Sequence, residues 1–461
     1  MGSIKKFFKL EENGSNISRE VIAGLTTFFA MVYIIFVNPT ILSAAGMPWG
    51  GVFVATILAT VIGTLVMGFF ANVPYAVAPG MGLNALFTYT IVITMGFSWQ
   101  EGLAIVLISG IINVIITVTR VRKSIVLSIP KSIQAAIGGG IGLFIAYIGM
   151  INAGFVQFGA VPELANFNSP TVLVAVIGLI VTIVLLLLKV KGAILIGIII
   201  ATVVGIPFGI TDAASLGQAS TWNFGNVWGD FGETFFAAFD GFGTMFTDWT
   251  RIPMILLAIF AFSLSDTFDT IGTFIGTGRQ SGIFTDEDIE SIENSKGMHS
   301  KMEKALFADS IATSVGALLG TSSTTTYVES SAGINAGGRT GLTSVVVAIL
   351  FALMLLISPI AGIVPSAATA PALIIVGVMM VGSFADIDWH NFEEVLPVFF
   401  TIIFMVVTYS ITNGIAIGFI VYVITKLVVG KSKEIHPIIW GSSAVFIVYF
   451  ILMALKAAAI I

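Results

Sequence analysis

Long apolar stretches recur along the whole chain, and twelve of them are long enough to cross the roughly 30 Å hydrocarbon core of a bilayer. They occupy residues 21–44, 52–71, 102–119, 132–151, 171–188, 193–210, 252–276, 305–319, 342–362, 366–384, 395–411 and 414–429. Only 10% of the residues are charged and the mean hydropathy is +1.04, whereas soluble domains are about 25% charged. Because a backbone in lipid must satisfy its own hydrogen bonds, the pattern predicts an all-α polytopic membrane protein.

Two further apolar stretches are interrupted by Gly, Ser, Thr and Pro. Residues 74–95 contain PYAVAPGMGLNALF, and residues 320–337 contain GTSSTTTYVESSAGINAG. Each opens with a few extended residues and then has too many helix-breaking residues for a continuous span. Each therefore predicts a short strand followed by a half-helix. As the third and tenth segments, they bring the predicted total to fourteen transmembrane segments.

The distribution of basic residues supports this count. With the amino terminus inside, the loops after even-numbered segments are cytoplasmic, and these loops carry Arg120, Arg122, Lys123, Lys131, Lys189, Lys191, Arg279, Lys296, Lys301, Lys304, Arg339, Lys431 and Lys433. The predicted extracellular loop, 211–250, is acidic. Positive-inside bias thus predicts fourteen crossings with residues 1–20 as a cytoplasmic segment. The apolar run within 430–461 either spans the membrane or lies in its interface, and its topology is open.

The two halves of the chain resemble each other. Each interrupted stretch is third in a set of seven segments, and KSIQAAIGGGIGLFIAYIGM in the fifth segment resembles PSAATAPALIIVGVMMVGSF in the twelfth. Because seven is odd, two such copies must insert with opposite orientations. Inverted repeats with paired broken helices place substrate at the membrane midplane, between the amino termini of the half-helices.

Two aspartates lie three residues apart in the eighth segment, within AFSLSDTFDTIGTFIG. Asp266 and Asp269 therefore share neighbouring parts of one helical face. An Asp at the centre of a membrane helix costs about 2.5–3.5 kcal/mol to insert, so both must face protein, water or ligand. No basic residue falls inside a span to neutralise them. They are either structural, bonded to hydroxyls or backbone donors, or part of a transport site.

The two broken helices carry polar residues at matching places. Glu329 either caps its own helix or offers its carboxylate to a ligand in the gap. Asn84 either bridges helices or binds a heteroaromatic edge, because its amide both donates and accepts hydrogen bonds. Gly80 and Gly82 permit close approach of the backbone. Asp309, a fourth membrane acid, is expected to hold the bundle together. Most Phe residues are expected to face lipid or the core, with Phe262, Phe268 or Phe87 as candidates to stack on a flat ligand.

Several classes of protein are excluded by what the sequence lacks. Without cysteine there is no disulfide framework, thiolate metal site or cysteine nucleophile. His299, His390 and His436 lie in separate loops, and no Walker, dinucleotide or zinc motif occurs, so we expect no metal or cofactor. Secondary transport is favoured over a pump or redox enzyme. A membrane-embedded hydrolase is disfavoured, because it would need a nucleophile or a metal beside the aspartates. The remaining alternative to a secondary transporter of this kind is an anion transporter or channel of related architecture.

The motifs GMGLNALF, SDTFDTIGT and TSSTTTYVESSAGI together resemble the nucleobase cation symporter-2 superfamily, most closely its adenine, guanine and hypoxanthine permease branch. The resemblance covers residues 21–429. It implies a core domain (21–121 and 251–362) and a gate domain (130–210 and 363–429) that move like an elevator. Members are proton symporters for nucleobases, commonly dimeric. We accordingly expect a multi-pass protein of the cytoplasmic membrane that is not an enzyme and has no nucleic-acid partner.

The resemblance also implies roles for particular residues. Asp269, in FDTIG, and Glu329, in TTYVES, correspond to the substrate-binding acids, and the purine branch adds Asp266 and Asn84. We expect Asp266 to couple binding to the proton. The supporting backbone comprises Gly80, Gly82, Thr326 and Tyr327. Where many relatives have Asn after the segment-ten acid, this chain has Ser330, as the purine branch does. The implied substrates are hypoxanthine and guanine, and also adenine.

Overall fold

The computed structural model describes residues 2–119, 129–159, 161–165, 167–212, 224–248, 251–278, 281–285, 287–288 and 300–457, and within these ranges the chain is predominantly helical. Several predicted cytoplasmic residues lie outside the described part, namely Arg120, Arg122, Lys123, Arg279, Lys296 and His299. The first half contains α1 (Gly2–Phe7), α2 (Ile17–Met31), α3 (Ile34–Ser43), α4 (Trp49–Val66), β1 (Val77–Pro79), α5 (Met81–Ala85), α6 (Trp99–Val118), α7 (Lys131–Asn152), β2 (Val156–Phe158), β3 (Pro162–Leu164), α8 (Pro170–Leu187) and α9 (Ala193–Gly205).

The remaining elements are α10 (Phe224–Thr234), α11 (Ala238–Met245), α12 (Ile252–Thr273), α13 (Lys301–Leu319), β4 (Thr324–Thr326), α14 (Ser330–Asn335), α15 (Gly341–Leu353), α16 (Ser358–Ala361), α17 (Ser366–Met380), α18 (Phe392–Val407), α19 (Ile411–Val428) and α20 (Pro437–Ala457). The helices α4, α5 and α12 continue into π-helical turns at Met67–Ala71, Leu86–Thr94 and Phe274–Gly278. In the described ranges nine helical stretches are long and apolar enough to cross a membrane, and three more are apolar but shorter. The chain is therefore a multi-pass membrane protein, while the figure of fourteen crossings stays a prediction.

Several helices begin earlier than the hydropathy pattern predicts, because polar residues cap them. Asn16 accepts a hydrogen bond from the Arg19 amide at 3.0 Å, so α2 starts at Ile17 rather than at residue 21. Ser300 and Glu303 form a reciprocal capping box, so α13 starts at Lys301. The acidic outer loop, 211–250, is partly helical. It contains α10 and α11, which pack against α4 and α6.

The two interrupted stretches meet in a short antiparallel ladder. Strand β1 pairs with β4, with Val77 opposite Thr326 and Pro79 opposite Thr324, and all six strand residues are buried. β-Branched threonines favour the extended backbone of β4, and Pro79 stands at the end of β1, where its missing N–H does least harm. Each strand leads into a short helix, α5 or α14. The predicted strands and half-helices are thus confirmed, and the antiparallel ladder places the starts of α5 and α14 at its opposite ends.

The helices pack in two groups. In one group α7 packs on α17 and α18, α18 on α19, and α8 on α9 and α17. In the other, α4 contacts α13 and α15, α6 contacts α13, and α2 contacts α15. The groups meet where α5 and α12 contact α7 and where α17 contacts α3. The β1–β4 ladder lies beside this boundary.

The crossing of α7 and α17 depends on two glycines that face each other. A Cβ on Gly142 would lie 2.8 Å from the Gly377 carbonyl oxygen, and a Cβ on Gly377 would lie 2.4 Å from the Gly142 carbonyl oxygen. Any larger residue at either position would push the backbones apart. The two glycines belong to the fifth and twelfth predicted segments, which resemble each other in sequence.

The ends of the described chain are packed against the bundle. The predicted cytoplasmic segment, 1–20, contains α1, which is followed by Phe8 and Leu10, two side chains buried against Leu342. At the other end, α20 contacts α19 and α12, with the Phe446 ring near those of Phe260 and Phe419. The described part of the C-terminal apolar run, Pro437–Ala457, is therefore one packed helix, and its topology in the membrane stays open.

Candidate functional site

A small cavity of about 70 Å³ lies where the two broken helices meet α12 and α17. It is partly open to its surroundings. Its walls are formed by Tyr33, Gly80, Met81, Gly82, Asp269, Thr273, Thr325, Thr326, Tyr327, Val328, Glu329, Val376 and Met380. None of these lining residues is basic. The structure thus brings together six of the eight predicted site residues, namely Asp269, Glu329, Gly80, Gly82, Thr326 and Tyr327.

Asp269 projects into this cavity from α12. Its side chain is exposed, and it has no hydrogen-bond partner among the residues that the structure describes. Both carboxylate oxygens are therefore available to a ligand. An ionised carboxylate is an acceptor only, so the group suits a ligand with N–H or O–H donors.

Glu329 lies opposite, immediately before α14, and is half-buried. The Tyr33 hydroxyl donates to Glu329 Oε1 at 2.5 Å, and no other side chain in the described ranges bonds this carboxylate. Tyr33 is fully buried at the two-residue break between α2 and α3. Glu329 thus reaches the cavity with its carboxylate held by the Tyr33 hydroxyl and by its own backbone N–H, and with acceptor positions left for a ligand. No feature of the apolar segment MVYIIFV marked Tyr33 beforehand.

The backbone around the ladder is fixed by close contacts. A Cβ on Gly80 would lie 2.5 Å from Thr325 Cγ2, and a Cβ on Gly82 would lie 2.5 Å from Ile141 Cγ2 on α7. The Tyr327 hydroxyl donates to the Pro79 carbonyl oxygen at 2.6 Å, which ties β4 back to β1. Both glycines therefore permit close approach, and the first N–H groups of α5 lie at the cavity wall, where no intrahelical acceptor exists.

Asp266 points away from the cavity into a buried network. Its Oδ2 accepts from Asn113 Nδ2 at 2.9 Å and from Thr313 Oγ1 at 3.3 Å, and its Oδ1 accepts from Ser323 Oγ at 3.1 Å. The residue is 1% exposed. Asp266 and Asp269 therefore lie in different surroundings, although the sequence places them on neighbouring parts of one helical face. The two surroundings differ because β4 lies between α12 and α13.

A second buried acid holds the other end of β4. Asp309 accepts from Thr326 Oγ1 at 2.7 Å and from Thr270 Oγ1 at 2.9 Å, and Thr270 also bonds the Thr325 hydroxyl at 2.8 Å. The run of threonines in β4 is thus bonded to α12 and α13 through hydroxyls. Asp309 has contacts that fit the expected structural role.

Asn84 is also behind the cavity wall rather than in it. Its Oδ1 accepts a hydrogen bond from the Ser322 hydroxyl, and its Nδ2 has no partner in the part of the chain that the structure describes. It joins α5 to the residues that precede β4. Phe262 and Phe87 are packed in the core, and neither these rings nor Phe268 line the cavity.

Comparison with known proteins shows the family of the chain. Residues 18–417 match the model of the Permease family, which is the nucleobase cation symporter-2 family. The chain belongs to this family. This permease is 39% identical to the guanine/hypoxanthine permease PbuG of Bacillus subtilis, over 98% of its own length and 100% of the relative's. It is also 39% identical to the adenine permease AdeP of Escherichia coli, over 97% and 95% of the two chains.

The fold of the permease has a solved counterpart. The transmembrane domain of a cyanobacterium bicarbonate transporter, BicA, superposes with a TM-score of 0.61 over 86% of this chain and 97% of that one, at 14% identity. Identity this low shows a shared fold and no shared substrate. Family and relatives point to a transporter rather than an enzyme.

The contact between Gly82 and Ile141 gives a prediction on stability. Gly82→Ala should destabilise the purified permease by about 1–3 kcal/mol, because the added methyl overpacks the boundary between α5 and α7. Combining it with Ile141→Ala should cost less than the sum of the two single changes. Thermal unfolding in detergent measures both effects. Gly243→Ala, where a Cβ meets nothing within 4 Å, is the control; strictly additive losses would argue against a tight contact.

Proposed function

We propose that this permease takes up purine nucleobases by proton symport, with hypoxanthine, guanine and also adenine as substrates. One observation carries the proposal: Asp269 and Glu329 present their carboxylates to one small cavity, and none of its described lining residues is basic. The guanine/hypoxanthine and adenine permeases to which the chain is similar support the substrate class.

The chemistry of a neutral purine matches this cavity. The flat ring carries N–H donors on its edges, which the two carboxylates can accept. Its ring nitrogens and exocyclic oxygen are acceptors, and the free N–H groups at the start of α5 can donate to them. Val376 and Met380 of α17 supply apolar contact. We therefore assign direct contact to Asp269 and Glu329, and supporting positions behind the ladder to Asp266 and Asn84.

We assign the coupled proton to Asp266. Its carboxylate is buried among Asn113, Thr313 and Ser323, and no basic side chain in the described ranges bonds it, so protonation would change the charge held directly beneath the substrate site. A membrane potential near 100 mV supplies about 2.3 kcal/mol per charge moved. At about 1.4 kcal/mol per decade, one proton sustains roughly fortyfold accumulation.

The proposed architecture is fourteen segments in two inverted repeats, with a core domain that moves against a gate domain like an elevator. The ladder between the third and tenth segments and the reciprocal contact of Gly142 with Gly377 support the repeat. The cavity supports the division, since Val376 and Met380 come from the gate and the acids from the core. A homodimer in the cytoplasmic membrane, with its amino terminus inside, completes the proposal.

The alternative, an anion transporter or channel, is not favoured by the cavity. An anion site needs basic or neutral donors at the midplane, whereas the acids here would repel an anion. The fold shared with a bicarbonate transporter concerns architecture alone.

Uptake of labelled hypoxanthine into membrane vesicles with an imposed pH gradient tests the proposal. We expect saturable, gradient-dependent uptake that unlabelled guanine and hypoxanthine inhibit, that adenine inhibits to a measurable degree, and that uracil does not. A protonophore should abolish accumulation. Vesicles that take up no purine, or that carry an anion current instead, would refute the proposed function.

A further inference from the structure

Ser323 connects the proposed proton site to the wall of the cavity. It stands immediately before β4 and is 1% exposed. Its hydroxyl donates to Asp266 Oδ1 at 3.1 Å, and its backbone carbonyl oxygen accepts from the Gly80 N–H at 3.0 Å. Gly80 lines the cavity and immediately precedes α5. One residue therefore bonds the buried acid with its side chain and the start of α5 with its backbone.

The residue before Ser323 adds a second bond to the same helix. The Ser322 hydroxyl donates to Asn84 Oδ1, and Asn84 lies in α5 one turn after its start. Ser322 and Ser323 thus hold α5 at two points. The first N–H groups of α5 are those that we assign to the acceptors of the base, so a displacement of the two serines alters the donor geometry at the cavity wall.

The charge of Asp266 decides which partner the Ser323 hydroxyl takes. This hydroxyl has one proton and two acceptors within reach, Asp266 Oδ1 and Thr313 Oγ1, both at 3.1 Å. A bond to an ionised carboxylate is roughly twice as strong as one between neutral groups, so the ionised acid takes the proton of the hydroxyl. When Asp266 is protonated, its bond to Ser323 becomes one between neutral groups and this preference is lost. Protonation therefore loosens the bond that fixes Ser323.

The other side chains around Asp266 do not lead to the start of α5. Asn113 donates to Asp266, and its amide oxygen accepts from Ser263, which returns to α12. Thr313 makes its shorter bond, 2.9 Å, to the Thr324 carbonyl oxygen and lies 3.3 Å from Asp266. Because a hydroxyl has one proton, Thr313 serves the backbone of β4 rather than the acid.

Three further acids surround this network. Asp309 on α13 and Asp269 on α12 lie near enough to Asp266 for charge repulsion, and Glu329 lies near Asp269 across the cavity. α6 presents an uncharged amide, and no basic side chain in the described ranges bonds any of these acids. The hydroxyl of Ser323 bonds Asp266 alone among the four. An effect of pH that depends on this hydroxyl therefore passes through Asp266.

We infer that Ser323 is a positioning residue that links the proton on Asp266 to the binding of the base. The inference rests on the proposed function and deepens it. Such linkage is reciprocal: if the base favours the protonated form of Asp266, then protonation of Asp266 tightens the binding of the base by the same factor. Removing the Ser323 hydroxyl breaks this dependence and leaves both acids of the cavity in place.

Equilibrium binding of labelled hypoxanthine to the purified permease, at acidic and at alkaline pH, tests the inference. For the unmodified permease we expect binding to be about fivefold or more tighter at acidic pH. Ser323→Ala should bring this ratio close to one, and Ser323→Thr, which keeps the hydroxyl, should restore it. Asp266→Asn should also bring the ratio close to one, and adding Ser323→Ala to it should change the ratio no further. Ser344→Ala is the matched control, because Ser344 is also buried and bonds the Val73 and Tyr75 carbonyl oxygens ahead of β1.

The remaining outcomes contradict the inference in separate ways. If Ser323→Ala weakens binding by the same factor at both pH values, the ratio persists and the role of Ser323 is purely structural. Unchanged binding at both pH values would remove Ser323 from the site, and a ratio near one in the unmodified permease would show that no such link exists. If the unmodified permease binds no hypoxanthine at either pH, the proposed function fails instead. Size-exclusion chromatography in detergent shows whether each variant is folded; should Ser323→Ala aggregate, Ser323→Cys, a weak donor of similar size, takes its place.

Discussion

Replacing Asp269 with Asn is expected to abolish saturable uptake of labelled hypoxanthine. The carboxylate has no partner among the described residues, so the ligand is its only direct hydrogen-bond donor. An amide keeps the shape but removes the charge and turns one acceptor into a donor that faces the donors of the base. Losing one charge-assisted hydrogen bond costs about 1.5–3 kcal/mol, and unmatched donors add to this loss. Initial uptake rates across a range of hypoxanthine concentrations measure the effect.

The control for this experiment is a chemically identical change elsewhere. Asp240→Asn alters an exposed acid on α11 and should leave uptake unchanged. Immunoblots of the membrane fraction show whether both variants insert at the level of the unmodified permease. Normal affinity for hypoxanthine in the Asp269→Asn variant would exclude this side chain from the binding site.

Replacing Asp266 with Asn is expected to separate transport from its driving force. The amide oxygen can still accept bonds from Asn113 or Ser323, but the side chain can no longer gain and lose a proton. Accumulation of hypoxanthine against its gradient should stop, while exchange of labelled for unlabelled hypoxanthine across the vesicle membrane continues. Paired assays of exchange and of accumulation driven by an imposed pH gradient measure the two activities.

Asp309→Asn is the comparison variant, because Asp309 is the other buried acid beside β4. It bonds Thr326 and Thr270, outside the cavity, and we expect this variant to retain accumulation driven by the pH gradient. The reverse pattern, with coupling lost in Asp309→Asn and kept in Asp266→Asn, would move the coupled proton to Asp309.

Hydropathy and helix breakers were enough to locate the elements that form the site. The apolar stretches became helices because neither lipid nor a buried core supplies hydrogen-bond partners to the backbone, and a helix pairs its own N–H and C=O groups. The extended starts of the interrupted stretches became β1 and β4 because Thr-rich and Pro-containing segments resist helix. Asp269 and Glu329 could be singled out because a carboxylate in an apolar segment needs a compensating partner.

Other features depend on tertiary contacts that no local pattern encodes. Asp266 and Asp269 share neighbouring faces by periodicity, yet β4 separates their surroundings. Asn113, a polar residue in the apolar helix α6, was the one local signal of a second buried network. Tyr33 has no such signal, because a tyrosine in an apolar helix is usually a packing residue.

The ladder between β1 and β4 also bears on how the protein is made. Its partners are distant in sequence: Val77 and Thr326, which face each other in the ladder, are 249 positions apart. The side-chain bonds beside it also join distant residues, since Tyr33 and Glu329 are 296 positions apart, and Asn84 and Ser322 are 238 positions apart. While the ribosome has delivered only the first half, the edge of β1 has no strand to bond, and unpaired backbone groups in lipid cost several kcal/mol each. The amino-terminal half on its own is therefore an incomplete folding unit. The cavity can be complete only after the second half has supplied β4, Glu329 and α17.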